Sequence, residues 1–315
     1  MKPVKEALFR LYAALAKSLF RLLEAYGRCF VFNSCLPRVG EAHYDMAYAG
    51  SRRRSQKLDV FVPPARKRRG PVPVVVNLHG GGLISMDKRS YERFSRSLAR
   101  AGYLVCNANY RLAPGADYRK QLQDVCAAVG WAYENAGRFG GDPTRMVLAG
   151  DSAGAWLAGW YAQAAADPGL LEGLDASTIP AGSLKALVLI YGAFDWQAIL
   201  DRSRLLRPGI SLMLRAAFGP DSPQRRELLQ RLSVTRNLKP GFPPCVIVSG
   251  RTDPIHSTSR DFARACEEKG VAHRKVFLPW YLFPEATHAF MLIWFYPSAL
   301  WSMLRIKLFL RRTVR

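Results

Sequence analysis

Acidic residues are scarce in this chain. Asp and Glu number 24 against 46 Lys and Arg, a formal net charge of +22 over 315 residues. So one-sided a field attracts anionic membranes, nucleic acid or acidic ligands; as a merely solvated basic surface it needs no partner. The cations lie in several zones. Arg52, Arg53, Arg54, Lys57, Arg66, Lys67, Arg68 and Arg69 have only Asp59 against them, a second zone runs from Arg202 to Lys239, and Arg305, Lys307, Arg311, Arg312 and Arg315 close the chain. Cysteine carries no pattern either. Cys29, Cys35, Cys106, Cys126, Cys245 and Cys266 form no CxxC pair and no metal-ligand spacing, which speaks against a metal site and fits reduced thiols in a cytoplasm. Long apolar runs are missing. Leu11–Ala16, the longest uncharged run of residues 1–32, is too short for a signal-peptide core or a membrane span. Ala289–Leu304 is apolar but is interrupted by Pro297 and falls short of the roughly 20 residues that a span needs. No repeat and no long low-complexity stretch is present, so disorder is expected only at the ends.

With 49% hydrophobic residues, the chain can bury one large core plus an insert. Leu8, Leu11, Tyr12, Leu15, Leu19, Leu22 and Leu23 recur at helical spacing, which predicts an amphipathic N-terminal helix with a basic face. It is read as a cover over the reacting centre, with a position on a membrane surface as the alternative. From about residue 58, strand signals at 74–78, 103–107, 146–149, 184–191, 246–249 and 275–278 alternate with helix signals at 90–101, 119–136, 153–165 and 258–269. That alternation predicts a mostly parallel sheet covered on both faces, whose reacting groups sit at the carboxyl ends of strands. The basic segment 196–240 breaks the rhythm and is read as a helical insert. The expected division is an N-terminal helical cap segment over 1–50, a catalytic core over 51–195 and 241–315, and a cap insert over 196–240.

Gly150-Asp151-Ser152-Ala153-Gly154 fits G-x-S-x-G between a strand and a helix, the nucleophile elbow. His79-Gly80-Gly81-Gly82 follows a strand with the side-chain-free backbone that lets N–H groups reach an oxyanion. The N–H groups of Gly81, Gly82 and Ala153 are the expected oxyanion donors. A phosphate loop of the G-x-x-x-x-G-K type is absent. Of five histidines, His288 lies after the last predicted strand, where the Ser, Asp, His order of this elbow places the base; His256 is the rival. Asp253, after the strand 246–249, is the expected acid that orients His288. Asp195 is the runner-up, and Glu285 shares the loop of His288.

Together with Tyr110-Arg111-Leu112-Ala113-Pro114, Asp124, Trp131 and Phe139-Gly140-Gly141-Asp142-Pro143, these motifs resemble the hormone-sensitive-lipase-like (family IV) carboxylesterases. The resemblance runs over about 58–290. It implies the α/β-hydrolase fold, a mostly parallel central sheet flanked by helices with a helical cap, and no metal or organic cofactor. It implies hydrolysis of short- to medium-chain acyl esters by Ser152, Asp253 and His288, with Gly81, Gly82 and Ala153 as oxyanion donors. A membrane-surface lipid esterase and an amide deacetylase are alternatives on the same triad, and a non-catalytic ligand-binding relative is a third. The expected partner is a small-molecule acyl ester rather than a specific nucleic acid, with peripheral contact at an anionic inner-membrane surface as the variant the charge allows, and a monomer or homodimer as the assembly. The chain departs from the family at Ala155-Trp156, at Leu83-Ile84-Ser85-Met86 and in the aromatic run Trp280–Glu285.

Overall fold

A computed structural model describes residues 24–27, 31–68, 70–180, 182–202 and 206–314. The strand signals become one sheet. Among the described residues it has eight strands in the order β1-β2-β4-β3-β5-β6-β7-β8. They are β1 (Glu41–Ala47), β2 (Lys57–Val62), β3 (Val72–Leu78), β4 (Leu104–Ala108), β5 (Gly141–Asp151), β6 (Leu184–Ile190), β7 (Cys245–Gly250) and β8 (His273–Leu278). From β4 through β3, β5, β6 and β7 to β8 every neighbour is parallel, and β1 and β2 join antiparallel at one side. The interior strands are apolar on both faces. Val74, Val76 and Leu78 point into one hydrophobic cluster and Val75 into the other, and Leu148 opposes Val147 and Ala149 in the same way. Such two-sided runs are what a sheet covered on both faces requires.

The helices supply those covers. On one face α2 (Tyr118–Asn135), α3 (Ala153–Ala166) and α7 (His256–Glu268) bury Leu122, Val125, Leu157 and Phe262. On the other, α1 (Glu92–Arg100) and α8 (Pro297–Thr313) bury Phe94, Leu98, Ile306 and Phe309. Pro297 starts α8 rather than interrupting a helix, because its missing N–H is an orphan at a helix start anyway. The segment between β6 and β7 holds α4 (Trp196–Arg202), α5 (Arg207–Phe218) and α6 (Pro223–Arg231).

One boundary needs correction. Residues 41–47 form β1, so the helical cap segment expected over 1–50 does not extend to residue 50. Its strand carries Glu41, His43 and Asp45 and a register shift beside β2, a bulged and charged edge of the kind that blocks further pairing. The amphipathic helix expected over 1–32 lies almost wholly outside the described residues; residues 24–27 are helical. Cys35, Cys106, Cys126, Cys245 and Cys266 are free thiols, the last four buried.

Helix α3 is seated against the end of β3 by a glycine. A Cβ at Gly154 would lie 2.1 Å from the Leu78 carbonyl oxygen, and both partners are backbone, so neither can rotate away. Gly154→Ala is expected to cost about 1–3 kcal/mol or more through overpacking, read as a lower midpoint in chemical denaturation; an unchanged midpoint would contradict the close approach.

Candidate active site

The parallel register brings several strand ends to one edge. Leu78 pairs with Gly150, Asp151 with Ile190, and Gly250 with Leu278. At the end of β5 the chain reverses into α3 within one residue. Ser152 holds φ 51° and ψ −115°, a conformation that costs on the order of 1–3 kcal/mol in a non-glycine residue and persists only when its surroundings over-determine it. They do: Ser152 N donates to Ile190 O at 2.8 Å, and Ser152 O accepts from Trp156 N and Ala193 N, each at 3.2 Å. A Cβ at Gly150 would lie 2.4 Å from Gly154 backbone, so the two glycines of the elbow are demanded by its tightness.

His288 Nε2 lies 3.0 Å from Ser152 Oγ, and its Nδ1 lies 3.0 Å from Asp253 Oδ2. Asp253 is buried, and its Oδ1 accepts from Ile255 N at 2.8 Å. The loops bearing the acid and the imidazole touch at Gly250, where a Cβ would fall 1.6 Å from Ala286 O. Burial pulls the His288 imidazolium down, but the hydrogen bond and charge of Asp253, with the charge of Asp151, outweigh it and hold its pKa above the ordinary value.

The rivals are occupied elsewhere. His256 begins α7 with Nδ1 2.9 Å from Ser249 Oγ, its ring edge-on to Phe277. Asp195 accepts from Ala198 N at 2.9 Å, Arg236 Nε at 2.6 Å and Ser233 Oγ at 3.1 Å, so it ties α4 to the end of the insert. Glu285 accepts from Ser298 N at 3.1 Å and so caps the start of α8.

The glycine loop lies beside Ser152. Gly81 and Gly82 have φ 101° and 62°, values that favour glycine. Side chains there would meet Ser85 O at 2.2 Å and Met213 Sδ at 2.5 Å. Among the described residues no hydrogen bond engages the N–H of Gly81, Gly82 or Ala153. His79 is a brace: it is buried, stacked on Tyr110 with ring centroids 4.2 Å apart, and burial lowers its pKa to about 4. Tyr110 also donates to His79 O at 2.9 Å, which gives the Tyr110–Pro114 motif its structural purpose. A second brace was not visible in the sequence. Tyr91 OH accepts from Gly80 N at 3.1 Å and donates to Asp151 Oδ2 at 3.0 Å, so it couples the glycine loop to the elbow. Burial raises the Asp151 pKa to about 6. Tyr91 opens a predicted helix, and no local pattern marks it as part of the site.

Ser152, His288, Gly81 and Gly82 line one cavity of about 440 Å³. Its other walls are mainly apolar: Trp196, Ile199, Leu206, Ile210 and Met213 from the 196–240 insert, and Leu292. Trp156, a departure from the family pattern, is fully buried and packs edge-on against Trp196 and Phe218 while donating to Leu232 O at 2.9 Å. It fastens the insert to α3 rather than crowding it.

Residues 75–292 match the family model of the alpha/beta hydrolase fold. The chain belongs to that family. The resemblance to its hormone-sensitive-lipase-like branch agrees with the curated relatives. Esterase LipQ of Mycobacterium tuberculosis is 27% identical over 241 residues, which cover 75% of this chain and 55% of that protein. Carboxylesterase NlhH of the same species is 40% identical over 111 residues, which cover 35% of this chain and 34% of that one. The chain thus spans about half the length of LipQ and a third of NlhH. Among solved structures, esterase B from Lactobacillus rhamnosis superposes with a TM-score of 0.83 at 22% identity, over 97% of this chain and 96% of its own. That likeness speaks for the fold.

The raised His288 pKa has a direct test. In an NMR titration of the imidazole, the His288 midpoint is expected above its ordinary 6.5, and Asp253→Asn is expected to move it down, since a neutral partner no longer stabilises the imidazolium. A midpoint that does not respond to Asp253→Asn would contradict the pairing.

Proposed function

We propose that the protein is a serine carboxylesterase that hydrolyses short- to medium-chain acyl esters. The carrying observation is the unbroken hydrogen-bonded line from Ser152 through His288 to buried Asp253, at the wall of an apolar cavity. Relatives named as esterases support the same chemistry.

In this reading Ser152 Oγ attacks the ester carbonyl while His288 Nε2 takes its proton. Asp253 keeps the imidazole in the tautomer that presents a free Nε2 to the serine and steadies the imidazolium. The N–H groups of Gly81, Gly82 and Ala153 hold the oxyanion, where the start of α3 favours negative charge. His288 returns the proton to the leaving alcohol. A water molecule, deprotonated by His288, then releases the acid and restores Ser152. The cavity lies toward the small end of the roughly 300–1,000 Å³ range of ligand pockets, which favours shorter acyl chains. The 196–240 insert acts as the cap that closes the acyl pocket.

Hydrolysis of p-nitrophenyl esters from acetate to palmitate is expected to peak at short to medium chains. Ser152→Ala is expected to lower kcat on the order of 10⁶-fold and Asp253→Asn about 10⁴-fold. A folded protein that cleaves p-nitroanilides but none of the esters would replace the reading with an amidase, and turnover that survives Ser152→Ala would sink it.

A further inference from the structure

Seven of the ten large hydrophobic side chains left exposed among the described residues fall within 280–304: Trp280, Tyr281, Leu282, Phe295, Leu300, Trp301 and Leu304. The two groups are neighbours, because Glu285 on the loop of the first caps α8, which carries most of the second. On α8 the exposed residues follow a single stripe. It starts apolar with Leu300, Trp301 and Leu304 and turns basic with Arg305, Arg311 and Arg312. Arg305 lies over the Trp301 ring at 5.7 Å.

Leu300 is also a wall of a cleft of about 270 Å³ between α1 and α8. Arg93, Arg100 and Lys307 line it, and among the described residues no carboxylate does. Glu24 reaches Ser90 on its wall at 2.6 Å. Arg93 is held over Trp294 at 3.6 Å and donates to the Ser34 carbonyl at 2.6 Å. Burial, then the like charges of Arg100 and Arg311, pull the Lys307 ammonium below its ordinary pKa. Cations are therefore gathered against their own repulsion beside an exposed apolar patch.

We propose that this face, made of the loop before His288, the outer stripe of α8 and the cationic cleft beside it, docks on an anionic lipid surface. Aromatic side chains favour the membrane–water boundary, and exposed apolar patches rimmed by polar groups mark interaction sites. Each basic residue near an anionic leaflet adds about 1 kcal/mol. Charge selects this occupant over a second copy of the chain. A two-fold contact would set the same face against itself, and so bring Arg305, Arg311 and Arg312 toward their own copies. No helix of the described residues is long and apolar enough to cross a membrane; the proposed contact is one of this face with the lipid surface. The inference stands apart from the esterase reading, since it rests on residues outside the catalytic line.

The test is co-sedimentation of the full chain with vesicles of phosphatidylcholine alone and of equimolar phosphatidylcholine and phosphatidylserine. Binding is expected only to the anionic vesicles and is expected to weaken with salt. Arg305→Gln and Arg311→Gln are each expected to weaken it about fivefold, and Trp301→Ser with Leu304→Ser to weaken it further. Circular dichroism of each variant is expected to match the parent. The proposal is overturned by three outcomes: no binding to anionic vesicles, binding that these substitutions leave unchanged, or a dimer in sedimentation equilibrium that they dissociate.

Discussion

The site depends on backbone meeting backbone where side chains would ordinarily keep it apart. Gly154 sits under the Leu78 carbonyl and Gly250 under the Ala286 carbonyl, at distances that no Cβ tolerates. The first contact sets α3, and with it Ser152, against the strand that leads into the glycine loop. The second sets the Asp253 turn against the loop that carries His288. Interiors are packed too densely to absorb such overlaps by small shifts. The 3.0 Å spacings of the Ser152–His288–Asp253 line are therefore a consequence of where two glycines stand, outside the line itself.

Around that frame the polar groups are braced and the apolar ones enclose. Tyr110 and Tyr91 hold the glycine loop from two sides, through His79 and through Gly80 and Asp151. The 196–240 insert contributes five of the apolar cavity walls named above, and Trp156 pins it to α3. Asp253 is buried while a third of the His288 side chain stays open to the apolar-walled cavity, so their bond lies in surroundings less polar than water, where charge-assisted hydrogen bonds are stronger. Core packing and site electrostatics thus meet at Trp156, Trp196 and His288.

Much of this was legible in the sequence because the site is written in rare residues at fixed places. A serine between glycines, three glycines after a strand, and one histidine after the last strand leave few assignments open. The parallel strands were legible as apolar runs buried on both faces. β1 was not, since Glu-Ala-His-Tyr-Asp-Met-Ala has no β-branched residue and is half exposed along its length. Tyr91 was invisible because its role comes from meeting Gly80 and Asp151 across 11 and 60 residues of sequence. Sequence position alone also left His256 and Asp195 as rivals. What separates them from His288 and Asp253 is partnership, with Ser249 in one case and Arg236 in the other.

The most direct test of the account is covalent. An alkyl p-nitrophenyl phosphonate phosphonylates only an activated serine, and peptide mass spectrometry locates the adduct. The account predicts a single modified residue, Ser152, and no adduct when His288 is replaced by alanine in a folded protein. A folded parent chain that stays unmodified, or one modified at another serine, would contradict it.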